Sequence, residues 1–174
     1  MHHVNETVSY GVYGVCRIDD IVTKDFDGKK TDYYVLKPVY DAFATVFVPT
    51  GNANLVEKMR AVLSENDIDQ ILCHLDDDAT EWPTDRHERQ AHWSAVLSSG
   101  NPLELVQMIR CLYLHKQELF SNKKKLQEAD DRALRAAEKQ INHEFAAALH
   151  ITPEDVPCYI AEKLRVNAAS EQVN

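Results

Sequence analysis

The chain has 174 residues, of which 44% are hydrophobic and 27% charged, with only five Gly and six Pro. These proportions are typical of a globular protein and exclude a collagen-like or low-complexity chain. No apolar run approaches the roughly 18 residues that a membrane-spanning helix needs, and the first residues lack a signal-peptide pattern. The net charge of -9 argues against a protein that coats nucleic acid, because such affinity comes from Lys and Arg, although local DNA contact is not excluded.

Residues 1–62 are predicted to form β-structure. Strand-like runs rich in β-branched and aromatic residues occupy 7–10, 15–18, 21–23, 33–37 and 44–48. Gly11 and Gly14 interrupt the first runs, which indicates a bend where backbones approach closely. Asp27 and Gly28 are typical of a hairpin turn. Four or five short strands within so few residues predict a small, strongly bent sheet or barrel.

Residues 63–80 are predicted to contain one helix and an acidic linker. Ser64 and Asp67 form an N-terminal cap signal, and apolar residues then recur at helical spacing up to Leu75. The run 76–81 is acidic and polar, which favours a connection between domains.

Residues 81–174 are predicted to be all-helical. Thr84 is expected to cap a helix that ends before Gly100, and Asn101 with Pro102 and Glu104 is a strong signal for the next start. A long amphipathic stripe follows from Leu126 to Leu149, and a last helix opens near residue 152. The fold class is therefore α+β, with a bent β-domain followed by an all-α domain.

Sites for metals and cofactors are not indicated. The four cysteines are far apart with no C-x-x-C pair, which argues against zinc and disulfides. Phosphate-loop, dinucleotide-binding and nucleophile-elbow motifs are absent. His87 and His92 are five residues apart, about 140° around a helix, so they do not match a zinc protease helix. We expect no metal, no cofactor, no small-molecule substrate and no enzymatic activity, and a small enzyme using these histidines is a remote alternative.

The order of these features resembles the CarD/CdnL family of bacterial RNA polymerase-binding regulators, and residues 1–62 also resemble the polymerase-interacting domain of the transcription-repair coupling factor. The resemblance rests on V-x-Y-x-x-x-G at 8–14, the G-K-K hairpin and Y-Y-V-L strand at 28–36, the strand ending in V-P at 46–49, Arg60 before a Ser-capped helix, S-G-N at 99–101 and an Ala-rich helix at 133–149. It covers about residues 6–166.

The resemblance implies that a Tudor-like first domain docks on the β subunit of RNA polymerase. The positions that would make this contact are Lys24, Thr45, Val46, Phe47 and Pro49. Phe47 stands where many members carry Arg, which removes one expected basic contact, although strand addition depends on main-chain hydrogen bonds. The resemblance further implies a cytoplasmic, membrane-free and bacterial regulator, and we expect a monomer.

The helical domain, by the same resemblance, would lie near the upstream edge of the promoter bubble and modulate open complexes. In the best-known members a Trp wedges against the minor groove with basic neighbours. The family position falls near Arg86, and Trp82 precedes it by about one helical turn. The candidate DNA-binding residues are Trp82, Arg86, Arg89, Trp93, Lys123, Lys124 and Lys125.

Each of these DNA contacts has a plainer interpretation. Trp93 is equally consistent with a core position, with the two arginines pairing to Asp85 and Glu88. The lysine run is equally consistent with a solvated surface balanced by Glu128, Asp130 and Asp131. A polymerase-bound adaptor without significant DNA contact is therefore the alternative function.

Overall fold

We obtained a computed structural model that describes residues 2–26, 28–41, 43–73, 75 and 81–171. The chain separates into two compact units, Met1–Val62 and Leu63–Asn174. The first contains a five-stranded sheet, and the described residues of the second form helices and no strand, which confirms the predicted α+β class. The acidic run predicted as a linker lies at 76–80, outside the described residues, apart from Glu81.

The first unit is an antiparallel sheet with strand order β4-β3-β2-β1-β5. Its strands are β1 (Thr7–Tyr10), β2 (Val15–Phe26), β3 (Lys29–Pro38), β4 (Val46–Pro49) and β5 (Met59–Ala61), with a one-turn helix α1 (Ala53–Val56) between the last two. β2 and β3 form a long hairpin, closed at Gly28 with φ 77° as the Asp-Gly signal predicted. β4 and β5 are the two edges of the sheet.

Two local features bend this sheet. A 3-10 turn at Gly11–Tyr13 joins β1 to β2, and Gly14 leaves it at φ 64° and ψ -142°, a conformation that side chains with a Cβ strongly disfavour. A register shift between Ile18 and Asp20 forms a bulge in β2, which increases the local twist. The predicted glycine-associated bend is therefore present.

One face of the bent sheet forms the core of the first unit. The fully buried residues come from all five strands: Val8, Cys16, Ile18, Tyr34, Leu36, Val48 and Met59. Leu55 and Val56 of α1 pack against the same cluster. The short helix therefore covers apolar surface that a sheet of this size would otherwise leave exposed.

The second unit contains five helices in its described part. They are α2 (Glu65–Cys73), α3 (Arg86–Ser99), α4 (Pro102–Ser121), α5 (Glu128–Leu149) and α6 (Val156–Glu171). The apolar stripes meet in one core, with Trp93, Leu112, Leu134 and Phe145 among its most buried members. Of the helices in the described ranges, none combines the length and apolar character needed to cross a membrane.

Side-chain caps define most of these helix starts. Ser64 and Asp67 cap each other reciprocally at α2, since the Ser64 N–H donates to Asp67 Oδ2 (2.8 Å) and the Asp67 N–H to Ser64 Oγ (3.2 Å). Asn101 caps α4 as predicted. The expected cap of α3 was wrong by one residue, because Asp85 rather than Thr84 accepts from the N–H groups of His87 and Glu88.

Candidate functional site

The outer edge of β4 presents main-chain groups away from the sheet. The Thr50 N–H donates to the Asp32 carbonyl (2.9 Å), and the two strands pair in the register that joins Val35 to Phe47. Hydrogen-bonded and non-hydrogen-bonded pairs alternate along an antiparallel ladder. The N–H and C=O of Phe47 therefore point to the outer side of β4, where an added strand would find them.

Phe47 also anchors a small cluster on the exposed face of the sheet. Its ring is 42% exposed and meets the Tyr33 ring edge-on, with centroids 6.5 Å apart. The ammonium of Lys24 lies 3.3 Å from the Phe47 ring centroid, a cation–π contact. The structure thus brings two predicted polymerase-contacting residues, Lys24 and Phe47, together beside the open edge.

The other predicted contacts on this strand have different surroundings. The Thr45 side chain is exposed, whereas Val46 is half-buried and packs against the core. Pro49 has no N–H to offer, and its half-buried ring closes the strand. Phe43, in the loop before β4, has a wholly exposed ring that the sequence patterns did not distinguish from a core position.

Trp82, the candidate wedge, is half-buried and held by its neighbours. Its indole stacks on the His115 ring, with centroids 3.7 Å apart and planes 19° from parallel. The Arg89 guanidinium carbon lies 4.7 Å from the indole centroid, and Trp93 is tilted against it at 6.4 Å. The ring therefore does not project freely from the unit.

Arg89 is committed to an internal ion pair. Its side chain is 4% exposed, and it donates from Nε to Asp130 Oδ1 (3.1 Å) and from Nη2 to Asp130 Oδ2 (3.2 Å). Nη1 donates to the Pro83 carbonyl (2.9 Å), which fixes the segment that carries Trp82. The plainer interpretation expected Arg89 to form ion pairs with Asp85 and Glu88, but its partner is Asp130, 41 residues later in the chain.

The remaining candidates on α3 divide by burial. Trp93 is a core residue, in agreement with the plainer interpretation, and Arg86 is exposed in the first turn. His87 and His92, the pair considered for an enzyme, are both exposed. Among the residues with described positions, no group of three or more His, Cys, Asp or Glu side chains is arranged to hold a metal ion.

The lysine run lies at the end of α4 with all three side chains exposed. Two of the three acidic residues that the sequence offered as its balance have other partners. Asp130 is buried and forms an ion pair with Arg89. Asp131 accepts a hydrogen bond from Arg135, which is the main reason that the pKa of Asp131 lies below its ordinary value. Phe120, immediately before the lysines, is 81% exposed and was not recognised from the sequence.

The four thiols divide by burial into two kinds. Burial raises the pKa of Cys16 to about 12, and it raises that of Cys111 as well. Cys73 and Cys158 are reduced and exposed. Cys16 packs in the core of the first unit, so its role there is that of a small apolar side chain.

A comparison with known protein families finds a match that covers the first unit. Residues 2–62 match the family model described as CarD-like/TRCF RID domain. The match spans all five strands and ends one residue after β5, at the boundary of the first unit. The resemblance inferred from the sequence is therefore supported for this unit, and residues 2–62 are similar to the CarD-like/TRCF RID domain, which suggests a family of RNA polymerase-interacting transcription factors.

Proposed function

We propose that this chain is a CarD-like transcription regulator that binds the β subunit of RNA polymerase through the edge of β4 and modulates promoter open complexes through its helical unit. The observation that carries the proposal is the match of residues 2–62 to a polymerase-interacting domain whose β4 edge presents the Phe47 main chain outward. Adding a strand at such an edge supplies affinity through main-chain hydrogen bonds.

The Lys24–Phe47 cluster gives this edge its specificity. A strand added to β4 passes beside the Phe47 ring and the Lys24 ammonium, which together offer an apolar surface and a positive charge. The exposed Phe43 ring provides a second apolar contact near the start of the same strand. These side chains replace the arginine that many family members carry at position 47.

Phe47→Pro is the sharpest test of strand addition. The substitution removes an N–H that points outward, so the ladder between β3 and β4 keeps its hydrogen bonds. Leaving a partner carbonyl unpaired costs roughly 1–3 kcal/mol. We expect binding to an isolated β-subunit lobe to weaken about fivefold or more, as measured by titration with the full chain.

Two variants make this experiment specific. Phe47→Ala keeps the N–H and removes only the ring, so its effect on binding should be smaller than that of the proline. Ala61→Pro makes the same backbone change at the opposite edge, because the Tyr10–Gly14 bond and the registers of β1 point the Ala61 N–H away from the sheet. Equal binding by wild type and Phe47→Pro, or equal losses at both edges, refutes docking at β4.

The helical unit is the part that we assign to upstream promoter DNA. Its described surface includes Arg86 and the lysine run at 123–125 as exposed cations. Residues 79–174, which carry these cations, have 12 basic and 14 acidic side chains, and the whole unit Leu63–Asn174 has six further acidic residues and a net charge of -8. Contact with DNA is accordingly weak for the chain alone at physiological salt, and tethering by the polymerase strengthens it.

The alternative function is a polymerase-bound adaptor without significant DNA contact. It is favoured by the net charge of -9 and by the engagement of Trp82 with His115 and Arg89. Footprinting of polymerase–promoter complexes with wild type and Arg86→Ala separates the two functions. An upstream bubble edge and an open-complex lifetime that are the same with and without the protein favour the adaptor.

The proposed activity has an expected cellular location and stoichiometry. The chain acts as a non-enzymatic protein in the cytoplasm of a bacterium, where its polymerase partner works. It carries no cofactor, and one copy is sufficient for each polymerase. Sedimentation of the purified chain at micromolar concentration checks the last statement, and a stable dimer contradicts it.

A further inference from the structure

The end of α4 combines an exposed aromatic ring with a concentration of positive charge. Phe120 is 81% exposed, and a hollow of about 440 Å³ lies beside it, lined by Lys116, Lys124, Lys125, Leu126, Glu128 and Asp131. Residues 113–126 carry four lysines and one glutamate, a local net charge of +3 in a chain of net charge -9. This surface is therefore an exception to the charge of the molecule.

The two acidic residues of the hollow, Glu128 and Asp131, leave its three lysines in excess. Asp131 binds Arg135 and lies 3.9 Å from the Lys116 ammonium, so its charge is already compensated. Within the described ranges, no ion pair involves the ammonium groups of Lys123, Lys124 or Lys125. Their charge is available to a ligand.

The hydrogen bonds that end α4 fix the backbone of Lys123 and Lys124 relative to that of Phe120. The Lys123 N–H donates to the Phe120 carbonyl (3.0 Å) and the Lys124 N–H to the Leu119 carbonyl (2.8 Å), the two bonds of a Schellman motif. The residue at its left-handed position is Lys123, at φ 54°, where glycine is favoured. The end of α3 follows the usual rule, with Gly100 at φ 63°.

Trp82 and Phe120 occupy different sides of α4. Trp82 stacks on His115, and His115 precedes Phe120 by five residues, which is about 140° around the helix. Lys116 precedes Phe120 by four residues, so it lies on the same side as the exposed ring. The aromatic ring that accompanies the lysines is thus Phe120.

We propose that Phe120, with Lys116, Lys124 and Lys125, is a stacking platform for an unpaired nucleotide of promoter DNA. An exposed aromatic ring beside spaced cations binds single strands by stacking on a base while the lysines contact phosphates. The assignment deepens the proposed function and rests on it for the source of the DNA, because a melted promoter offers unpaired bases at the edge of its bubble. An acidic protein segment would pair with the lysines, but its binding would not require stacking on the Phe120 ring.

The test measures binding of the full chain alone to a fluorescent fork-junction DNA at low salt. Wild type should bind, Phe120→Ala should bind at least fivefold more weakly, and Phe120→Trp should bind within twofold of wild type. Leu114→Ala is the matched control, since Leu114 is also exposed on α4 but lies about 120° away from Phe120 around the helix. It should bind like wild type.

Three outcomes overturn the platform. They are no binding of the fork by wild type, equal binding by wild type and Phe120→Ala, and binding of an acidic peptide as tight as that of the fork. Reversing Lys124 and Lys125 to Glu should also weaken binding and reduce its dependence on salt. An unchanged salt dependence argues against phosphate contact by these two lysines.

A parallel titration with the β-subunit lobe keeps this test distinct from that of the proposed function. Phe120→Ala should bind the lobe like wild type, because the substitution lies in the helical unit. Failure of wild type to bind the lobe refutes polymerase docking and leaves the fork result standing. Loss of fork binding in Phe120→Ala with an unchanged circular dichroism melt attributes the effect to the missing ring.

Discussion

Replacing Arg89 with Met should strongly destabilise the helical unit. The Arg89–Asp130 pair is buried, at 4% and 1% exposure, and Asp130 would retain a carboxylate with no guanidinium opposite it. Removing one partner of a buried pair costs about 3–5 kcal/mol. The Pro83 carbonyl also loses its donor, so the segment that carries Trp82 should loosen at the same time.

Tryptophan fluorescence measures this effect in the second unit alone. Both tryptophans, Trp82 and Trp93, belong to that unit and lie close to Arg89. With an m-value of about 2 kcal/mol per M, a loss of about 4 kcal/mol lowers the urea midpoint by about 2 M. Arg86→Met removes an exposed arginine from the same helix and should shift the midpoint little.

A double substitution tests the cause of this loss. Replacing Arg89 with Met and Asp130 with Leu removes both charges, so no carboxylate is left buried without a partner. The double variant should be more stable than Arg89→Met alone, because apolar side chains often replace a buried ion pair at little cost. A destabilisation below about 1 kcal/mol in Arg89→Met, or a double variant that is the less stable of the two, refutes this account of the pair.

Three further predictions follow from burial, backbone conformation and capping. Of the four cysteines, Cys16 and Cys111 are buried, whereas Cys73 and Cys158 are exposed. Iodoacetamide should label the exposed pair first, and labelling of Cys16 in the native protein contradicts its buried position. Because burial raises the pKa of Cys16 in the folded state to about 12, the stability that this thiol contributes should be lost as pH rises from about 9 towards 12. Gly14→Ala should destabilise the sheet by about 1–3 kcal/mol because Gly14 has a positive φ, whereas the control Gly51→Ala should be nearly neutral. Hydrogen exchange in β1 and β2 measures both effects. Equal effects of the two substitutions refute the backbone argument. Asp85→Ala should lower the melting temperature of the helical unit at pH 7. The hydrogen bond from the Glu88 N–H lowers the pKa of Asp85 in the folded state, so the difference in melting temperature from wild type should shrink as pH falls through that pKa. A difference that persists in acid contradicts the capping role.

The sequence predicted the elements whose signals are local. Alternation and turn residues located the strands, and the caps at Ser64 and Asn101 located two helix starts, because each signal lies within a few residues of the structure that it specifies. β5 is only three residues long and was missed as a separate strand, since so short a run carries no periodicity. The capping error at α3 arose because Thr84 and Asp85 are adjacent and both suit the position.

Long-range partners could not be predicted in this way. The sequence offered Arg89 either as a DNA-binding residue or as a partner of Asp85 and Glu88, but its side chain binds Asp130, 41 residues later in α5. The exposed state of Phe120 was likewise hidden, because a phenylalanine at helical spacing normally faces a core. Whether an aromatic ring faces inward or outward depends on the packing of other helices against it, which no local pattern reports.

The two aromatic side chains proposed for DNA contact should respond differently to substitution, and this difference decides how promoter experiments are interpreted. Trp82 contacts His115, Arg89 and Trp93, so Trp82→Ala should lower the stability of the helical unit as well as any wedge activity. Phe120 is mostly exposed, so its removal should leave stability unchanged. If Trp82→Ala shortens open-complex lifetime only in proportion to its lost stability, while Phe120→Ala shortens it in a fully folded protein, the ring in contact with DNA is Phe120. The reverse pattern, an effect of Trp82→Ala below its melting transition and none of Phe120→Ala, assigns that contact to Trp82.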